Sequence, residues 1–111
     1  MSTRGYTKKA INMGKREFLL QSISFDNGSF VSVSEGSQKI GSMVVSIGNG
    51  PSAITTTVIP AKTDFLFLKL TAEKISTSIK GISIVSLFAT SELGNDTAKI
   101  LMEEIMEMIH T

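Results

Sequence analysis

Apolar and polar positions alternate along the first half of the chain, then recur at spacings of three and four after Pro60. From Glu17 to Phe25 an apolar run with Phe18, Leu19, Leu20, Ile23 and Phe25 predicts a first strand. Asp26-Asn27-Gly28-Ser29 follows, and its Asn-Gly pair takes up positive φ at little cost, the mark of a hairpin. In Phe30–Ser34, Val31 and Val33 oppose Ser32 and Ser34. Glu35-Gly36-Ser37-Gln38 reads as a second turn. Ile40–Ile47 then alternates again, with Met43, Val45 and Ile47 on one side and Ser42 and Ser46 on the other. Gly48-Asn49-Gly50-Pro51 breaks the pattern before the β-branched run Ser52–Ile59. Four strands joined by short turns predict an antiparallel meander.

Past Pro60, Thr63 is positioned to accept hydrogen bonds from the free amides of a helix start, and Asp64 suits the positive end of its dipole. Phe65, Leu68, Ala72, Ile75 and Ile79 form one helical stripe, and Gly81 is its expected C-terminal cap. Ile82–Ala89 is apolar on both faces, which predicts a central strand covered on both sides. Thr90–Asn95 is a polar loop, and Asn95 or Asp96 is the expected cap of a last helix reaching about Ile109. That helix turns Ile100, Leu101, Ile105, Met108 and Ile109 inward and Glu103, Glu104 and Glu107 outward. The order is β-β-β-β-α-β-α, an α/β (α+β) fold with a largely antiparallel sheet and two helices.

A length of 111 residues accommodates one domain, and 41% hydrophobic against 19% charged residues is a globular composition. Charge is unevenly placed. Residues 1–16 hold Arg4, Lys8, Lys9, Lys15 and Arg16 without an acid, so they read as a flexible basic arm ahead of a single domain at 17–111. No apolar run approaches the roughly 20 residues of a membrane span, and the expectation is an intracellular protein without membrane contact.

The residue inventory argues against an enzyme and against a cofactor. With no cysteine, thiolate metal sites and cysteine nucleophiles are excluded, and the one histidine is His110, beside the last residue. Gly36 and Gly41 have the interval of a phosphate loop, but Ser42-Met43 stands where Lys-Ser/Thr is needed. Gly48-Asn49-Gly50 lacks the third glycine of a dinucleotide fingerprint. Glu103 and Glu107 share a helix face with no third ligand at a matching interval, so a solvated face accounts for them and no metal is expected. Nucleic acid is not favoured, because the strand segments lack stacking aromatics and cations. Of six methionines, Met102, Met106 and Met108 lie on the last helix and Met43 on a strand, which suits gap-filling in a core.

Two helices cover one face of a five-strand sheet. The other face is left as a partner surface. Alternation nominates Met43, Val45, Ile47, Thr55 and Thr57 for it. The run Phe30–Ile59, with its Gly41-Ser42, its Met43-Val44-Val45-Ser46 strand and Pro51-Ser52 leading into a Thr-rich strand, resembles the small eukaryotic proteasome assembly chaperones. The likeness extends over 17–109, through Leu68–Ile75, Ile84-Val85-Ser86 and a Glu-rich last helix, and is nearest the branch of the fourth chaperone. It departs at Ile59-Pro60-Ala61, where family members carry Gly-Asp.

This resemblance implies a non-enzymatic chaperone of the cytoplasm, and also of the nucleus. It would pair through its sheet with a related small chaperone or with itself, and would hold a 20S proteasome α-subunit while the α-ring assembles. The client is then expected at the loops Glu35–Lys39 and Thr90–Asp96, with Lys39, Glu92 and Asp96 as polar contacts. The alternative is a roadblock- or profilin-like scaffold, or a nucleic-acid adaptor that uses the basic arm.

Overall fold

The computed structural model describes residues 5–48 and 50–110. Eight elements follow in order: β1 (Tyr6–Met13), β2 (Arg16–Phe25), β3 (Gly28–Glu35), β4 (Ser42–Ile47), β5 (Ile54–Ile59), α1 (Phe65–Ile79), β6 (Ile82–Phe88) and α2 (Asn95–Ile109). They make one six-stranded, mostly antiparallel sheet with two helices, the α+β architecture that the periodicity predicts.

Two expectations are corrected. Tyr6–Met13 lies inside the segment read as a flexible arm, yet it is a strand that pairs with β2 from Tyr6↔Ile23 to Met13↔Arg16. Its alternation is carried partly by lysine and threonine, so an apolar count misses it. Ile11 and Met13 pack on the core while Lys9 reaches across to Glu104 and Glu107 on α2. Arg4, the remaining charge of that segment ahead of β1, lies outside the described residues.

The meander is the second correction. The strand order is β1-β2-β3-β6-β4-β5, so β6 enters between β3 and β4. β6 runs parallel to β3 and antiparallel to β4. A two-residue turn cannot bridge that gap. Residues 36–41 instead cross the end of β6, so close that a Cβ on Gly41 would fall inside contact distance of the Leu87 carbonyl.

β6 is central as expected, with the helices covering one side and only residues 36–41 covering the end of the other. Beneath the helices lie Phe18, Leu20, Val31, Val33, Val44, Val85 and Leu87, packed against Leu68, Ala72, Ile75, Leu101 and Ile105. α1 approaches the sheet through small residues, with Ser76 3.0 Å from Ser46 by hydroxyl oxygens and Gly48 against the Ser76 backbone. In the stripe predicted for α1, Leu68, Ala72 and Ile75 are buried, whereas Phe65 is exposed and Phe67 is buried instead. On α2 the buried set is Leu101, Ile105 and Met108, while Ile100 is exposed.

Neither helix start is capped as the sequence suggests. Asp64 occupies the cap position of α1 with a left-handed backbone (φ 63°), and its carboxylate accepts the Leu93 amide of the β6–α2 loop at 3.3 Å. Thr63 donates its hydroxyl to that carboxylate at 3.1 Å. The cap position of α2 is Gly94, with Asn95 and Asp96 already inside the first turn.

Candidate interaction surface

Strand registers sort every side chain onto the helix side or the open side of the sheet. On β4, Val44 and Ser46 are fully buried beneath the helices, so Met43, Val45 and Ile47 face the open side. Cross-strand pairing carries that side onto β6, where Val45 meets Ile84 and Ile47 meets Ile82, and Ile84 in turn meets Phe30 of β3. Phe30 faces Ile23 on β2, and Ile23 faces Tyr6 on β1. One apolar band therefore crosses all six strands, with Tyr6, Ile23, Phe25, Ile47, Ile54 and Ile59 each at least 40% exposed. Isolated surface hydrophobes are ordinary, whereas this band is continuous and is the candidate contact surface of the sheet.

The predicted partner residues are split by the sheet. Met43, Val45 and Ile47 lie on the open face together. Thr55 and Thr57 do not join them: they pair with Ser46 and Val44, which places both threonines on the helix side. Thr55 donates its hydroxyl to Glu73 on α1 at 2.6 Å and lies 3.2 Å from the Ser46 hydroxyl oxygen. That bond, followed by the Lys69 ammonium, holds the Glu73 carboxyl below the usual range. Ile54, Thr56 and Ile59 take the open-face places opposite Ile47, Val45 and Met43. A pairing one residue different from the expected one exchanges the faces of residues 54–57, and the irregularity that skips Val58 returns Ile59 to the open side. No residue in Ser52–Ile59 reports that register, because nearly all are β-branched.

The β3–β4 connection shields one end of the open face. Ser34 donates to the Lys39 carbonyl at 3.2 Å and Ser86 accepts the Gly41 amide at 3.1 Å, which accounts for two buried serines on that face. Lys39 places its ammonium 5.0 Å from the centre of the Phe88 ring, a cation–π contact.

At this end of the sheet the connections 14–15, 36–41, 60–64 and 89–94 gather with the starts of both helices. Arg16 organises them. Its guanidinium forks onto Glu35, Nε to Oε2 at 2.8 Å and Nη2 to Oε1 at 2.7 Å, and donates to the Ser91 and Glu92 carbonyls at 3.0 Å each. Glu35 Oε1 also accepts the Thr90 amide at 2.9 Å. The Arg16 fork, opposed by burial and aided by the Thr90 amide, lowers the Glu35 carboxyl to about 2. The loops Glu35–Lys39 and Thr90–Asp96 are thus joined through Arg16 and Glu35. Their expected contacts point in different directions. Lys39 stands over the open face, Glu92 is exposed between the two helix starts, and Asp96 is exposed on the first turn of α2.

Candidate catalytic chemistry is thin among the described residues. They contain no group of three metal-ligating side chains, and His110 lies 2.9 Å from the Ser78 hydroxyl at the opposite end of the fold.

No protein-family model matches the chain, and no curated protein sequence does. Its fold is similar to a chain in a crystal structure described as a novel chaperone complex for yeast 20S proteasome assembly. That likeness has a TM-score of 0.71 over 94% of this chain and 98% of the other, at 12% sequence identity.

Proposed function

We propose that this chain is a non-enzymatic chaperone of proteasome assembly that pairs with a related small chaperone through its open sheet face and holds a 20S α-subunit during α-ring assembly. The observation that carries this reading is the apolar band over the uncovered side of all six strands. The fold-level likeness to a chain of a proteasome-assembly chaperone complex supports the client class. Placement in the branch of the fourth chaperone belongs to the same proposal, and the identity of the preferred sister protein tests it. Cytoplasmic and nuclear residence is checked by fractionation.

The nucleic-acid reading rests on the basic segment, and the geometry leaves it less charge: Lys8 and Lys15 are exposed, while two other cations are engaged within the fold. Lys9 is spent on Glu104 and Glu107, and Arg16 on Glu35.

The test compares two neighbours on β4. Val45→Asp puts a charge on the half-buried open side and is expected to abolish pairing while the chain stays folded. Val44→Asp puts it in the fully buried core and is expected to unfold the chain. Co-expression with candidate sister chaperones, followed by size-exclusion chromatography with light scattering and by circular dichroism, separates the two outcomes. A Val45→Asp chain that is folded and still paired would remove the sheet face from the proposal. Failure of the unaltered chain to bind any small assembly chaperone or α-subunit would remove the function.

A further inference from the structure

The helix layer carries a second apolar surface that the sheet face does not explain. α1 begins Phe65-Leu66-Phe67-Leu68-Lys69-Leu70, and only Phe67 and Leu68 of its apolar residues there are buried. Leu66 is 64% and Leu70 45% exposed. Both line a groove of about 360 Å³ between α1 and α2, whose opposite wall includes Ala98 and Met102. The walls match: each presents residues four apart, about 6 Å along a helix axis. A partner helix repeats its own i, i+4 side chains at that interval and pairs its own main-chain groups, whereas an extended strand laid between two helices would find no free main-chain partners there.

The groove also has a direction. Glu92 stands at the mouth near the helix starts, and its carboxylate has no ion-pair partner among the described residues, since Arg16 takes only its main-chain carbonyl. Asp64 lies beside it, and the two acids also border a neighbouring hollow of about 500 Å³. Further along α2, Lys99 is exposed on the rim. A segment with a basic residue at the Glu92 end, apolar residues in the middle and an acid or neutral residue beside Lys99 is complementary in one orientation and repelled in the other.

We infer that the α1–α2 groove seats a short amphipathic helix of the client α-subunit, its apolar side chains on Leu66, Leu70 and Met102 and a lysine or arginine at Glu92. This inference rests on the chaperone reading above and extends it from the loops onto the helix layer. It makes the two apolar surfaces separate in function: the sheet face pairs chaperones, and the groove holds the client.

The test uses the full chain, paired with its sister chaperone where one is found, and purified α-subunits offered one at a time. Leu66→Asp and Glu92→Lys are the variants, since both sites are exposed and neither side chain supports the core. Each is expected to weaken capture of the client at least about tenfold, with pairing and thermal unfolding unchanged. A photo-crosslinker in place of Leu70 is expected to join a helix of that subunit. Wild-type affinity in both variants, or crosslinks from Leu70 only to a second copy of the chain, overturns the groove and leaves the chaperone reading standing. Absence of binding by the unaltered complex to every α-subunit overturns both.

Discussion

Glu35→Gln isolates the ion pair that ties the loop end of the sheet together. The substitution keeps the shape of the side chain and removes the charge that Arg16 and the Thr90 amide stabilise. Glu35 is 8% exposed, so solvent screens the pair little. Its carboxyl is lowered from 4.5 to about 2, a displacement of about 2.5 pH units. At 1.36 kcal/mol per pH unit this contributes roughly 3 kcal/mol at neutral pH.

The sign follows from the depressed value. Between about 4.5 and about 2 the unfolded chain binds the proton and the folded chain does not. Stability from this group is therefore complete above the unfolded value and is lost as the pH falls through the folded one. Urea unfolding followed by circular dichroism at several pH values between 7 and 2 measures it. The wild type is expected to exceed Glu35→Gln by roughly 3 kcal/mol at pH 7, a midpoint shift of about 2 M at an m-value of ~1.5 kcal/mol/M. The two curves should converge toward pH 2. A midpoint within about 0.3 M of wild type at pH 7, or a difference that stays constant with pH, would refute this account of the pair.

Two further outcomes follow from backbone geometry and from the first strand. Lys80 ends α1 with a left-handed backbone (φ 55°), so Lys80→Gly is expected to raise stability by about 0.5–1 kcal/mol in the same urea assay, and a loss would show that the lysine side chain holds the turn. A chain starting at Gly14 loses β1, its half-buried Ile11 and Met13 and the Lys9 contacts to α2. It should lose roughly 2–4 kcal/mol from that apolar burial and expose the β2 edge to aggregation, whereas unchanged stability would return the segment to the status of a flexible arm.

Much of the secondary structure is legible locally. The alternation in β3 and β4 and the three-and-four spacing in α1 and α2 are properties of neighbouring residues, and those elements form where their patterns lie. The expected Asn-Gly turn does not form: the hairpin turns at Asp26-Asn27 without positive φ, and Gly28 is already in β3, where a Cβ would collide with the Ile82 carbonyl. β1 escapes because Lys8, Lys9 and Asn12 interrupt its apolar positions, and only the ion pair of Lys9 with α2 explains a lysine on the covered face. At the candidate surface, Met43, Val45 and Ile47 are readable as one side of β4 because side chains two apart share a face in any strand.

What the tertiary structure alone decided is which side that is, and what stands beside it. β6 enters between β3 and β4 through contacts more than thirty residues apart in the chain, and no local pattern encodes a pairing at that distance. The β4–β5 register turns Thr55 toward Glu73 and gives its expected place to Ile54 and Thr56, a choice that a run of β-branched residues leaves undetermined. The helix-side groove arises in the same way. Leu66 and Leu70 are ordinary helix residues in sequence, and they become a surface because α1 commits Phe67, Leu68 and Thr71 to the core and leaves them on the other side. Local pattern determines which residues share a face; only packing at long range determines whether that face is buried or offered to a partner.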